Sequence, residues 1–410
     1  MASTIMHDRS SPTETIGETE SPPSIGHGVT LAMAAACGFI VANIYYNQPM
    51  LEIIEGSFPG RALVSGFVPT ATQLGFALGL IFLVPLGDRL DRRRLILIQL
   101  AGLALSLAIA AVAPDAYTLV AASILVGAAS SVAQQIVPFA AELAETGRRG
   151  AVIGTVMSGL LCGILFGRAI AGTVGDHYGW RAMFALGCLL AILTGILLAI
   201  VLPRSRPTSR ALYVELLKSL FTLLRDEPDL RRATLIQASL FGSFSALWTV
   251  LALYLDARYH LSAQVAGLFG VVGAVGVLFA PVAGRIADQR GPHMVIGLGA
   301  VIMFASWILF DASHAMTALV VGVMLLDFGE QGALISNQHV IYALRPDARN
   351  RLNTIFMGGM FIGGAAGSAG ATFAWEQSGW PGVCGFGGLL VLAAILLHVQ
   401  ARLKSHRRKI

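Results

Sequence analysis

Three ionisable side chains sit where charge is expensive. Arg168 lies in GILFGRAIAG, and Asp327 and Glu330 lie three residues apart in LLDFGEQGALISNQ; both stretches are embedded in apolar runs. A charge at bilayer depth is costly, so such residues mark ion or proton pathways by default. Arg168 is eight residues before Asp176, about 12 Å below one surface, and Asp327 is about 16 Å below it, at ~1.5 Å of rise per residue. A guanidinium arm spans that difference. The expected arrangement is an Arg168–Asp327 pair that opens when Asp327 takes up a proton. A permanent structural ion pair is the competing reading. Glu330, one turn on, is a second proton carrier or a spectator beside a wet cavity.

Uncharged polar groups recur at similar depth. In VANIYYNQPML, Asn43 and Asn47 share one helix face with Tyr46 beside them. Gln134, Gln135, Trp248, Gln331, Asn337 and Gln338 lie inside other apolar runs. Amides, aromatics and an acid around one cavity suit an amphipathic small molecule. The alternative is that each amide ties two helices together, and that Tyr45 and Tyr46 belong to an interfacial belt. No catalytic constellation accompanies them. There is no phosphate loop, HExxH or GxSxG; the nine histidines are scattered, and the four cysteines lie in apolar runs without a CxxC. No enzyme activity, metal or cofactor is expected, and an ion gradient rather than ATP is the expected driving force.

These residues must be positioned by helices in lipid. The chain of 410 residues is 55% hydrophobic and 12% charged, with a mean hydropathy of +0.72; soluble domains carry about 25% charged residues. Runs long enough to span a bilayer fall near 29–51, 62–86, 95–113, 117–141, 151–174 and 181–202, then near 234–255, 266–283, 294–310, 316–338, 355–374 and 383–400. Twelve transmembrane helices in two pseudo-symmetric six-helix bundles follow, an all-α membrane protein. Of the 28 lysines and arginines, all but Arg61, Arg168, Arg181 and Arg258 fall in alternate connecting segments. This places both termini and the central linker in the cytoplasm. Clusters between apolar runs are not a nucleic-acid footprint, despite the net charge of +5.

The expected organisation is a disordered cytoplasmic segment 1–28, a first bundle 29–202, a linker 203–233, a second bundle 234–400 and a basic tail 401–410. The N-terminal segment lacks the basic start of a cleavable signal, so the first run is expected to act as an uncleaved anchor. In the linker, ALYVELLKSLFTLLRDEP reads as an amphipathic helix lying on the membrane surface or packed as a soluble linker. The tail RLKSHRRKI is expected to rest on anionic lipid headgroups.

The halves repeat. Asp88 and Asp288 are 200 residues apart, as are Gly179–Trp180 and Gly379–Trp380. The stretch 84–93, VPLGDRLDRR, resembles the G-x-L-x-D-R-x-G-R-R loop of the major facilitator superfamily, with Val84 and Asp91 at its glycine positions. The second copy, GRIADQRG, keeps Gly284, Asp288 and Gly291. The fifth run resembles the glycine-rich signature of the drug–proton antiporters of that superfamily, with Arg168 where the signature carries proline. The resemblance implies a cytoplasmic latch between the halves built from Asp88, Arg89, Arg92, Arg93 and Asp288. It also implies a cavity lined by helices 1, 4, 7 and 10, and alternating access. The expectation is a monomeric secondary transporter in a bacterial inner membrane, using protons to expel a small organic compound. Proton-coupled uptake of an organic anion, motivated by Arg168, is the second reading, and a non-transporting sensor the third.

Overall fold

The computed structural model describes residues 26–145, 147–205, 212–278, 285–286, 289–345 and 348–407. Among these, helices occur and no strand. The first span is α1 (His27–Ala42), which passes through a tight stretch into α2 (Leu51–Gly56). The second comprises α3 (Ala62–Gly66) and α4 (Val68–Leu78), then a π turn over Gly79–Leu83 and a 3₁₀ turn over Val84–Asp88. Spans three to six are α5 (Arg92–Ala111), the broken pair α6 (Ala116–Ser130) and α7 (Ala133–Leu143), α8 (Arg149–Tyr178) and α9 (Trp180–Val201). The linker contributes α10 (Tyr213–Asp226). The later spans are α11 (Pro228–Tyr259), α12 (Ala263–Leu278), α13 (Pro292–Ala312) and α14 (Met316–Leu344). The last element, α15 (Arg349–Arg407), is broken at Gly379 and so carries the final two runs. Among the described residues nine helical segments are long and apolar enough to cross a bilayer, one of them holding two runs; α1 and α12 are shorter. Together they account for the twelve runs.

The repeated Gly–Trp pairs explain two of the reversals. Gly179 and Gly379 have φ of 81° and 60°, a backbone that a side chain resists and glycine permits. The tryptophan that follows pins each turn. Trp180 Nε1 donates to Ser57 Oγ at 2.9 Å, and Trp380 Nε1 donates to the Phe310 carbonyl at 3.0 Å.

Glycine also sets how closely helices meet. A Cβ on Gly163 of α8 would lie 2.1 Å from the Gly38 carbonyl oxygen of α1. In the second half a Cβ on Gly367 of α15 would lie 1.9 Å from the Gly242 carbonyl oxygen of α11. In lipid the drive to pack is van der Waals contact rather than water release, so small residues at the joint carry the association.

The two halves touch through polar contacts near one face. Thr70 Oγ1 donates to Ser368 Oγ at 3.0 Å, Thr372 Oγ1 donates to the Gly66 carbonyl at 3.1 Å, and Ser245 Oγ donates to Gln73 Oε1 at 3.1 Å. Phe76 packs on Phe361 at 4.4 Å between ring centres, and α8 meets α12 where a Cβ on Gly172 would lie 3.0 Å from Gly267 Cα. Near the opposite face, which bears the arginine-rich loop 89–94, the halves enclose a cavity of about 350 Å³. Its walls include Val84, Gln134, Gln135, Ile153, Asn353 and Met357. Helix α10 forms one side of it with Leu216 and Leu220, and Tyr213 donates to the Phe82 carbonyl at 2.7 Å. Phe221 and Val214 on the same helix stay exposed, an apolar stripe suited to lipid. The N-terminal segment, Asp288 and the end of the tail lie outside the described residues.

The closed face carries acids from both halves. Glu55, beyond the end of the first run, hangs over the joint: a Cβ on Gly66 would meet its Oε1 at 3.0 Å and the Thr372 methyl at 2.7 Å. Glu376 follows Thr372 by one turn. Burial, with repulsion from Glu376 and then Glu52, pushes the Glu55 carboxyl up to about 7. Were the halves to part, Glu55 would return toward the ordinary value of 4.5. Closure therefore holds the proton more tightly than opening does. The stabilisation of the closed face is full below about 4.5 and is lost as pH rises through about 7.

Two outcomes follow from this packing. Gly163→Ala lowers the melting temperature of the purified protein, by an overpacking cost of about 1–3 kcal/mol. The matched Gly102→Ala, whose Cβ meets nothing within 4 Å, does not. Spin labels at Gly56→Cys and Gln377→Cys, in a background without the four native cysteines, separate as pH rises through 7. Glu55→Gln removes that dependence; a distance independent of pH in the parent would refute it.

Candidate functional site

The regular helix of α1 stops at Ala42, and the reason is local. The Asn43 side chain donates to the Phe39 carbonyl at 2.7 Å and the Ile40 carbonyl at 3.1 Å, taking acceptors that the next turn would use. The backbone then proceeds by three-residue steps: Asn43 to Ile40, Ile44 to Val41, Tyr45 to Ala42 and Gln48 to Tyr45. Such 3₁₀ geometry eclipses residues i and i+3, so Tyr45 and Gln48 share a face.

That face meets Arg168. The guanidinium carbon lies 4.5 Å from the Tyr45 ring centre and 4.1 Å from that of Trp248, and Arg168 Nε donates to Gln48 Oε1 at 3.0 Å. Tyr45, Gln48 and Arg168 come from the first half and Trp248 from the second. Two glycines of α12 make room: a Cβ on Gly270 would lie 3.1 Å from Arg168 Cβ, and one on Gly267 would lie 2.5 Å from its carbonyl oxygen. Arg168 is buried. Cation–π contacts in a desolvated setting are worth about 2 kcal/mol each, which offsets part of the cost of the buried charge.

Asp327 stands next to this group without touching it as an ion pair. It and Trp248 flank Gly273, whose Cβ would lie 3.0 Å from Asp327 Oδ1 and 3.0 Å from Trp248 Cζ2. No Arg168–Asp327 contact occurs among the ion pairs of the described residues. The expected direct pair is therefore corrected: the arginine arm is taken up by Gln48 and the two rings before it reaches the acid. Arg168 Nη2 and Asp327 Oδ2 are both buried without a hydrogen-bond partner.

Glu330 has its own network. Gln237 Nε2 donates to Glu330 Oε1 at 2.6 Å, and Asn337 Nδ2 donates to Gln237 Oε1 at 2.9 Å. All three are buried, and Glu330 Oε2 has no partner. One glutamine amide thus receives on its oxygen and gives from its nitrogen, aligning a chain from Asn337 to the acid.

The remaining expected residues divide. Gln134 and Gln135 line the cavity, and Gln135 Nε2 donates to the Leu83 carbonyl at 3.4 Å. Gln338 Nε2 approaches Met357 Sδ at 3.9 Å, beside the same cavity, and Gln331 is half-buried on α14. Asn43 and Tyr46 are not in it. Both lie near Gly187 of α9, and Asn47 Nδ2 donates to Thr72 Oγ1 at 2.8 Å, a bond between the first two spans. The loss of α-helical phase after Ala42 turned Tyr46 away and brought Tyr45 in.

The arginine-rich loop likewise ties elements of one half. Arg92 Nη2 lies 3.2 Å from Asp88 Oδ1 and 3.0 Å from Glu142 Oε1, and its Nε donates to the Gly87 carbonyl at 3.1 Å. Arg93 donates to the Ala199 carbonyl. Asp91 caps α5, its carboxylate accepting from Arg94 N at 3.2 Å. The expected clasp between the halves is not among these contacts. Arg89 is exposed, and Asp288 is outside the described residues.

Gln48, Gln237 and Glu142 escaped sequence reasoning, and Tyr45 entered it only as an interfacial belt residue. Gln48 and Tyr45 had one signal, the Asn43 and Pro49 that end the helix around them. Gln237, a single amide in the apolar seventh run, could have been weighed with the others.

The comparisons agree with this architecture. The model of the Major Facilitator Superfamily matches residues 31–293 and 233–409. The chain is 40% identical over 381 residues to a protein of Escherichia coli (strain K12) named "Putative uncharacterized transporter YgaY", covering 92% of this chain and 97% of that protein. It is 32% identical to the "Probable transporter SCO4007" of Streptomyces coelicolor, over 90% of this chain and 86% of that one. In structure it is similar to the D-xylose-proton symporter, with a TM-score of 0.69, 19% identity and coverage of 90% and 95%. It is also similar to the human organic anion transporter MFSD10, with a TM-score of 0.67, 17% identity and coverage of 90% and 98%. At those identities the two structures speak for the fold alone. The chain belongs to the major facilitator superfamily and is a multi-pass membrane protein of the secondary-transporter type, not an enzyme.

Proposed function

We propose that this transporter expels a small organic compound in exchange for protons, with Glu330 and Asp327 as the proton-carrying groups and Arg168 beside them. The supporting observation is the pair of buried carboxyls with an unpartnered oxygen each, set on α14 one turn apart beside the joint between the halves. A charge at that depth is costly; a proton on Oδ2 or Oε2 removes it. The hydrogen bond from Gln237 uses the other oxygen of Glu330, so it survives both protonation states. Parting the halves along α8–α12 exposes Arg168 and Asp327 together. A proton exchanged in one state and held in the other couples the gradient to the switch.

The arginine-rich face is assigned to the cytoplasm by the charge distribution. The cavity there then opens inward, and the closed acidic face looks outward in a bacterial inner membrane. The glycine-rich fifth span and the loop at 84–93, similar to those of exporters, favour efflux over uptake.

The test uses proteoliposomes with an imposed pH gradient. Proton-driven movement in the parent is expected outward with respect to the arginine-rich face. Asp327→Asn and Glu330→Gln each reduce it at least about tenfold, equivalent to ~1.4 kcal/mol of coupling, while exchange down a substrate gradient persists. Undiminished proton-driven movement in both variants would remove the acids from coupling. Accumulation toward the arginine-rich face would reverse the direction, and no flux of any tested compound would favour a sensor.

A further inference from the structure

The Arg168 guanidinium is held on one edge and over two rings, yet Nη2 is left without an acceptor. A buried donor in this position normally finds a partner. The nearest carboxyl, Asp327, also has an oxygen without a donor, and the two do not meet. A structural ion pair would have closed that gap. Instead, Gln48 and the rings of Tyr45 and Trp248 fix the plane of the guanidinium and leave Nη2 free. The group lines a crevice at the joint of the halves with Gln48, Trp248 and Ala266. The crevice is closed tight in this state and opens only when α8 leaves α11 and α12.

We propose that Arg168 Nη2 is the anchor for a carboxylate on the transported compound, so that the substrate is an organic monocarboxylate. This rests on the transporter reading above and names its substrate class. Guanidinium recognises carboxylate through charge-assisted hydrogen bonds of fixed direction, and a plane already fixed loses little freedom on binding. Once the halves part, Trp248 withdraws with the second half and the substrate carboxylate takes the place beside the cation. Its carboxylate then neutralises Arg168, and exchange follows if substrate binding there and proton uptake on Asp327 occupy alternate steps of the cycle. A structural clasp between the halves is the rival explanation of the same contacts.

Binding is measured on the detergent-purified full chain, by thermal shift and by tryptophan emission, using benzoate against benzamide and hexanoate against hexanamide. The carboxylates stabilise the parent and change its emission; the amides of matched shape do neither. Arg168→Gln lowers carboxylate affinity at least about tenfold. Because that variant can also unsettle the fold, Gln48→Glu serves as the second. It keeps the arm in place and supplies an internal carboxylate, so external carboxylate binding falls by a similar factor while the melting temperature holds or rises. Equal response to acid and amide, absence of any carboxylate response in the parent, or a carboxylate response that survives in both variants overturns the proposal. Carboxylate selectivity without flux in proteoliposomes would keep the site and remove the transporter reading. Flux of a neutral or cationic compound without carboxylate binding would do the reverse.

Discussion

A guanidinium at hydrocarbon depth cannot be left to itself, and the arrangement around Arg168 is what the rest of the molecule accommodates. Its charge is met by one amide oxygen and two aromatic faces rather than by a carboxylate. Those partners come from two spans, one in each half. The first span surrenders regular helix after Ala42 to deliver Tyr45 and Gln48 together. The eighth span carries glycine at 267 and 270 because any side chain there would strike the arginine. One buried cation thus dictates backbone geometry on one side and side-chain volume on the other.

The closed face obeys a similar economy. Hydroxyl groups on Thr70, Ser368 and Thr372 bridge the second and eleventh spans with hydrogen bonds of 3.0 and 3.1 Å. Membrane hydrogen bonds of this kind average about 0.6 kcal/mol, so a few of them hold the halves without locking them. Glu55 adds a term of opposite sign once it ionises. A joint meant to part must be built from contacts that are individually weak and collectively sufficient. Glycine sets close approach within each half, as at Gly163 on Gly38, and also across the joint, where a Cβ on Gly172 of α8 would lie 2.4 Å from the Ala263 carbonyl oxygen of α12.

The twelve runs, the Gly–Trp reversals and the glycine-rich spans were legible because each rests on a local rule of length, φ or volume. That Arg168, Asp327 and Glu330 fall within helices long and apolar enough to span a bilayer was legible for the same reason. Their partners were not. Periodicity assigned Asn43, Tyr46 and Asn47 to one face by assuming 3.6 residues per turn, and three backbone bonds of the i to i−3 kind were enough to rotate Tyr46 out and Tyr45 in. Matching depth suggested that Arg168 reaches Asp327, but depth fixes one coordinate of three, and Gln48 intercepts the arm. The loop at 84–93 advertised its arginines; Glu142, which Arg92 selects, sits fifty residues on in α7 and has no mark in the sequence.

The two acids on α14 divide their neighbours in a way that bears on coupling. Asp327 faces Trp248 and Glu330 faces Gln237, and both partners belong to α11. Gln237 and Trp248 are eleven residues apart, close to three full turns, so they lie along one stripe of that helix. A rigid shift of α11 against α14 therefore changes the surroundings of both acids at once. Trp248 also stacks on Arg168 of the first half, so the same helix registers whether the halves are together. The long, buried α11 can thereby transmit separation of the halves to Glu330 without any contact between Arg168 and that acid. On the proposed function, coupling then needs no direct ion pair, only a helix that serves as a wall for the cation at one level and as a hydrogen-bond donor to the acid at another.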